Sequence, residues 1–150
     1  MQYIQLFLDE YRYIISTEDV VEITPWVKLT HVPKVPDYIA GLCSYRGISV
    51  PVIDLCELFL GRGAKKKLST RIIFLDIACT NNNNKVIGIL VEKATEIISV
   101  DEGTFMNPGI YGSDMPFVGP VVADEHGLVT KIMPKEIFSK VDNELLFEQA

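Results

Sequence analysis

Little in this chain of 150 residues favours chemistry at a metal or a thiol. It has only three cysteines, Cys43, Cys56 and Cys79, and two histidines, His31 and His126. Three thiols cannot all pair within one chain, no two form a CxxC, and neither histidine stands at ligand spacing from them. That leaves no disulfide framework and no metal site, and reduced, buried thiols point to the cytoplasm. Long apolar runs are also missing. No uncharged stretch reaches a dozen residues, well short of the ~20 that cross a bilayer as a helix. Positive charge is in deficit, with 14 basic against 20 acidic side chains and a net charge of −6. Nucleic-acid and anionic-membrane surfaces need clustered positive charge, so this balance argues against both. The opening Met1-Gln2-Tyr3-Ile4-Gln5 lacks the basic-then-apolar layout of a secretion signal.

What the chain does have is apolar content, 48% against 23% charged, which suits one folded domain or two small halves sharing a core. The pattern is mainly strand. Ile4, Leu6 and Leu8 share one face of a strand at 3–8, and Asp9-Glu10 turns it into a second arm at 11–15. Residues 16–20 read as a short turn or one-turn helix capped by Ser16 or Thr17, and an extended piece follows at 21–24. Pro33 and Pro36 stiffen the next stretch and predict a helical turn at 36–40. Two strands at 42–45 and 48–53 flank Arg46-Gly47, with Pro51 predicting an edge or a bulge. Asp54 caps a helix over 55–60 that Gly61 ends. The run 61–69, with Lys65-Lys66-Lys67, reads as a flexible, solvated linker. Strands follow at 71–78, buried on both faces, and at 86–91 and 94–100, with a polar loop tip at 81–84. A long excursion at 101–116 leads to a hairpin, 117–123 with 128–133, and Pro134 opens a C-terminal helix bearing Ile137, Phe138 and Val141.

The chain echoes itself. Ile15, Glu18, Glu22 and Ile23 recur in order as Ile89, Glu92, Glu96 and Ile97. Each copy is followed by a glycine-bearing hairpin and then a helix start, which predicts two related halves burying a common apolar seam.

No converging nucleophile, base and charge stabiliser emerges at motif level. Gly-x-Ser-x-Gly, the phosphate-cradling Gly-x-x-x-x-Gly-Lys and Gly-x-Gly-x-x-Gly are all absent. A small hydrolase using Cys43 or Cys56 with His31 is the enzymatic alternative, and nothing local brings those groups together. The densest signal is 41–55, where Arg46 is the only charge between Tyr38 and Ile53. Its planar fork either lies solvated at a hairpin turn or grips a partner's carboxylate or carbonyls.

That segment resembles the CheW coupling proteins of bacterial chemosensory arrays. The matching words are Val32-Pro33, Pro36, Ile39-Ala40-Gly41-Leu42, Tyr45-Arg46-Gly47 and Val50-Pro51-Val52-Ile53-Asp54-Leu55. Phe7-Leu8, Tyr13-Ile14-Ile15, Val20-Val21-Glu22-Ile23 and Val86-Ile87-Gly88-Ile89-Leu90-Val91 extend the likeness over about 3–140. Leu68-Ser69-Thr70-Arg71 and Val118-Gly119-Pro120-Val121 look most like the branch serving alternative pathways, of which the Wsp-type system that feeds a cyclic-di-GMP response is an example.

The resemblance implies a mainly β fold of two interleaved SH3-like five-stranded β-barrels, with short helices and a C-terminal helix. It implies a single domain over 1–150, the first barrel at about 16–80 and the second at about 81–135 plus the N-terminal strands 3–15. It implies a non-enzymatic, cytoplasmic adaptor without cofactor or metal. That adaptor joins a chemoreceptor's cytoplasmic tip to the regulatory domain of a CheA-type histidine kinase, with no nucleic acid and no membrane insertion. A related adaptor role in type IV pilus control fits the same words. Carried over residue by residue, Val20, Gly41, Arg46, Gly47 and Gly88 become the receptor- or kinase-binding positions.

Overall fold

Alternation of apolar side chains writes most of this fold as strand. The computed structural model describes residues 1–78, 84–109 and 118–144. In chain order the elements are β1 (Gln2–Leu8), β2 (Tyr11–Ser16), β3 (Val20–Pro25), β4 (Ile39–Tyr45), β5 (Ile48–Asp54), α1 (Leu55–Leu60), β6 (Arg71–Ala78), β7 (Asn84–Val91), β8 (Lys93–Ser99), β9 (Val118–Asp124), β10 (Gly127–Ile132) and α2 (Pro134–Glu144). Single 3-10 turns sit at Thr17–Asp19 and Glu102–Thr104. The first is capped by Ser16, whose hydroxyl accepts from the Glu18 N–H.

The strands form two five-stranded sheets, as the mainly β, SH3-like reading anticipates. The first unit runs β3-β6-β7-β5-β4 and the second β8-β1-β2-β10-β9. These are the same order twice. Each has one parallel contact, β5 with β7 and β10 with β2, among antiparallel neighbours. One constant shift in numbering carries Leu42 to Val121, Tyr45 to Asp124, Val52 to Lys131 and Leu55 to Pro134. Leu42 and Val121 even make matching isolated bridges, to Thr30 and Met106. The N-terminal hairpin β1–β2 completes the second unit, so the chain enters and leaves through it. Both copies of the sequence echo lie where the chain passes between sheets: Ile15 to Ile23 from β2 into β3, Ile89 to Ile97 from β7 into β8.

The halves are held by one seam. Ile4, Leu6, Leu8 and Ile15 of the second unit join Val50, Val52, Ile72 and Ile89 of the first in the main core. Ile137, Phe138 and Val141 add the buried face of α2. The opposite faces of β1 and β2 build a smaller core from Tyr3 and Ile14 with Val100, Val122 and Val129. Strand β6 is buried on both faces, and Ile72, Ile73, Phe74 and Leu75 are each at most 2% exposed.

Several local expectations change. The first unit does not stop near 80. Strand β7 pairs with β6 along its full length and runs parallel to β5, so the crossing into the second unit falls at Glu92. Residues 36–40 make a hydrogen-bonded turn, with Ile39 N–H donating to Pro36 O at 3.0 Å. No helix forms there, because Tyr38 O accepts from Asp54 N–H (2.7 Å) and Ile39 already pairs with Ile53. Pro51 lies in an interior strand. It stands opposite Leu42, whose N–H and carbonyl both turn outward to Thr30, so this pair needs no hydrogen bond between β4 and β5. On its other side the parallel ladder with β7 begins only at Val52, leaving the missing proline donor without consequence.

The 61–69 run is also not a loose linker. Asp54 caps α1 through Cys56 N–H (2.9 Å), and its second oxygen accepts from Ala64 N–H (2.9 Å). The Thr70 hydroxyl accepts from Lys67 N–H and donates to Lys65 O. Cys79, the polar tip at 81–83, residues 110–117 and the tail at 145–150 lie outside the described residues.

Candidate docking surface

The five positions singled out by resemblance separate into two groups. Gly41 and Gly88 are inside the protein. Gly41 sits at a bulge in β4 with φ +148°, and a Cβ there would lie 2.7 Å from Thr30 O and 2.8 Å from Leu29 Cβ. The backbone that approaches Gly41 closely is therefore this chain's own 29–30 segment. At Gly88 a Cβ would meet Val52 Cγ2 at 3.1 Å and Ile72 Cγ2 at 3.2 Å, with the Phe74 ring just beyond. Its register partner is Phe74. Both glycines are required by the chain's own packing.

Arg46, Gly47 and, in part, Val20 remain at the surface. Arg46 and Gly47 are the two loop residues between paired Tyr45 and Ile48, with φ of +48° and +82°. Positive φ at both positions is the tight turn whose twist suits a hairpin, and Gly47 supplies it with nothing near its missing Cβ. The turn throws Arg46 outward: its side chain is 72% exposed. The guanidinium carbon lies 5.1 Å from the centre of the Tyr45 ring, and one nitrogen lies 3.9 Å from Glu22 Oε1. Beneath it Tyr45 stacks on Phe74 at 4.5 Å and 20°. The arginine thus stands on an aromatic pedestal with its donors free to meet a second molecule.

Strand β3 forms the wall beside that tip. Val20 is half-buried and packs into the main core, so only part of it faces out. The register between β3 and β6 slips at Val21, which has no opposite number there. Val21 and Ile23 then point outward and are exposed, as is Ile48 next to Gly47. These three, with Glu22 reaching the arginine, were missed in the sequence. Val20-Val21 offers two equal choices for the outward residue, and only the bulge decides between them.

A single carboxylate ties the units together. Glu92, at the crossing between β7 and β8, accepts from Asp9 N–H (2.6 Å), Lys65 N–H (2.7 Å) and both terminal nitrogens of Arg62 (3.1 Å each). The Arg62 hydrogen bonds outweigh its burial and hold its pKa down at about 2. Nearby, burial pushes the Cys56 thiol up to about 12, with the Glu92 and Asp54 charges adding to the rise. A thiol held that high is protonated at neutral pH and is no nucleophile. Cys43 Sγ is directed at Ser44 O (3.6 Å). Among the described residues no cluster of three His, Cys, Asp or Glu is arranged to hold a metal, and no helix is long and apolar enough to cross a membrane.

The second unit carries a cleft of about 620 Å³ across β8, β1, β2 and the β9–β10 turn. Its floor is a bidentate pair, Arg12 with Asp124 at 2.7 Å for each bond, braced by Gln5. The Arg12 hydrogen bonds hold Asp124 at a pKa of about 2. Phe7, Tyr11, Ile98 and Leu128 make the walls.

A family model described as the CheW-like domain matches residues 2–142. The chemotaxis protein CheW of Klebsiella aerogenes is 32% identical over 89 residues, 59% of this chain and 51% of that protein. The match therefore spans about half of that relative's length. CheW of Bacillus subtilis is 28% identical over 86% of this chain and 81% of its own length. The crystal structure of the scaffolding protein TtCheW from Thermoanaerobacter tengcongensis superposes with a TM-score of 0.76 at 27% identity, covering 87% of this chain and 82% of that one.

Proposed function

The chain belongs to the CheW-like domain family, and we propose that it is a non-enzymatic scaffold of bacterial chemosensory signalling. In this reading it works in the cytoplasm, holding the cytoplasmic tip of a chemoreceptor next to the regulatory domain of a CheA-type histidine kinase. The observation that carries it is the β4–β5 tip: Arg46 stands outward on the Tyr45 ring with Glu22 of β3 beside it, and exposed Ile48 follows the turn. Such a patch gives a partner apolar area to bury and one planar, bidentate donor to fix its register. The names of its relatives, chemotaxis proteins and a scaffolding protein, support the same reading. Of the five positions carried over by resemblance, Arg46 is assigned the gripping role, Gly47 the turn, and Val20 part of the apolar wall.

The test is to mix the chain with the cytoplasmic fragment of its cognate receptor and with the kinase, and to resolve the mixture by size-exclusion chromatography with mass determination. One complex containing all three is the expected result. Receptor and kinase eluting without the chain would refute the proposal.

A further inference from the structure

Two features of the surface answer to nothing described so far. One is the loop at 65–68. Leu68 is 98% exposed and follows Lys65, Lys66 and Lys67 in a protein whose net charge is −6, with Lys66 Nζ 5.6 Å from the Trp26 ring and Lys67 beside the leucine. The loop is built to present that leucine. Buried Thr70 ties Lys65 O and Lys67 N–H, and the Arg71 guanidinium donates to Leu68 O. The other is the cleft of the second unit. Its apolar walls are rimmed by Glu10, Glu96 and Glu125. Among the described lining residues Arg12 is already spent on Asp124, and His126 Nε2 lies 3.3 Å from Glu125 Oε1. Lys93, the cross-strand partner of Phe7, already lies 5.6 Å from that ring.

We propose that the Lys66-Lys67-Leu68 apex of one copy of this chain docks in the acid-rimmed cleft of a second copy. Leu68 would bury against Phe7, Tyr11 and Leu128, and the lysines would meet the glutamates. The volume, about 620 Å³, is ample for a leucine and part of two lysine stems. The two features border each other on one chain. Arg62, at the foot of the loop, reaches Asp9 at 3.6 Å, and Asp9 precedes the rim residue Glu10. A two-fold arrangement with each loop in the other copy's cleft would close the contact at a dimer. The contact does not use the Arg46 tip and stands whether or not the scaffold reading does.

Sedimentation equilibrium of the full chain tests it, at roughly 0.1 M salt, where screening over about 10 Å mutes the overall repulsion but leaves close pairs intact. The wild type should dimerise reversibly. Lys66→Glu with Lys67→Glu should be monomeric, because an acidic loop meets an acidic rim. Glu96→Lys with Glu125→Lys should be monomeric for the opposite reason. An equimolar mixture of the two variants should regain a dimer, since each loop now finds an opposite rim. Leu68→Ser, which changes no charge, should weaken the wild-type dimer by about tenfold or more. All these positions are exposed, and unchanged circular-dichroism melts confirm that the variants fold. A wild type that stays monomeric to about 1 mM, a weaker self-association than two such contacts would give, overturns the proposal. So do reversed variants that dimerise as the wild type does, or a mixture that does not recover.

Discussion

Tyr45 and Asp124 hold the same place in the two units, at the ends of β4 and β9, and use it in opposite ways. In the first unit Tyr45 stacks on Phe74 and closes the inner face with aromatic rings. In the second, the counterpart of Phe74 is Gln5, and Asp124 answers with an ion pair to Arg12. The cross-strand partners follow suit: Phe74 faces Gly88, whereas Gln5 faces Ile14. A glycine is needed where a phenyl ring takes the room, and an isoleucine fits where it does not. The hairpin tips differ in the same spirit, with Arg46 on one and Glu125 on the other. One strand order thus yields a unit packed to its tip, which displays a cation, and a unit left open, which displays acid.

The largest test of that contrast is truncation. Phe74→Ala should lower unfolding free energy by about 3–5 kcal/mol, while Gln5→Ala, which loses hydrogen bonds to Arg12 and Thr95, should cost about 1–2 kcal/mol. Urea melts read both. Gly88→Ile, which copies its counterpart Ile14, should cost about 3 kcal/mol by overpacking. A neutral result there would mean that the two inner faces are equally roomy. Next come the glutamates of the echo. Glu92→Gln should lose about 2 kcal/mol, because it weakens four hydrogen bonds at the junction of the units. Exposed Glu18→Gln should stay within about 0.5 kcal/mol.

Acid extends the same comparison. Glu92 and Asp124 are held at pKa values of about 2, below their ordinary 4.5 and 3.8. A lowered folded-state pKa stabilises the protein above the unfolded value and is lost as pH falls through the folded one. Stability should therefore decline from about pH 4.5 down to about 2. Asp54, raised by burial, acts in the opposite direction. Urea midpoints measured across that range should fall for the wild type and fall less steeply for Glu92→Gln. An equal slope in both would remove Glu92 as the pin.

Much of this fold is legible before any coordinates. The period-two apolar face of β1, the doubly buried β6, the Asp54 cap and the echo all act locally, and each is written in a few adjacent residues. The crossing at Glu92 is not, because whether β7 pairs with β6 or with a later strand depends on partners far along the chain. The candidate docking surface is half legible. Arg46-Gly47 stands out as a lone charge in a turn. Gly41 and Gly88 could not be sorted, because a glycine required by the chain's own packing and one required by a partner look alike in sequence. The pinned 61–69 loop was hidden for a similar reason: its partners, Glu92 and Thr70, carry no sign of the backbone groups they will bind.

The most direct measurement of the scaffold reading is calorimetric titration of the receptor's cytoplasmic fragment and of the kinase into the wild type and into Arg46→Glu. Arg46 is mostly exposed, so the substitution should leave the melting temperature unchanged while weakening binding of at least one partner by about tenfold or more. Equal affinities for both partners in the two proteins would contradict it.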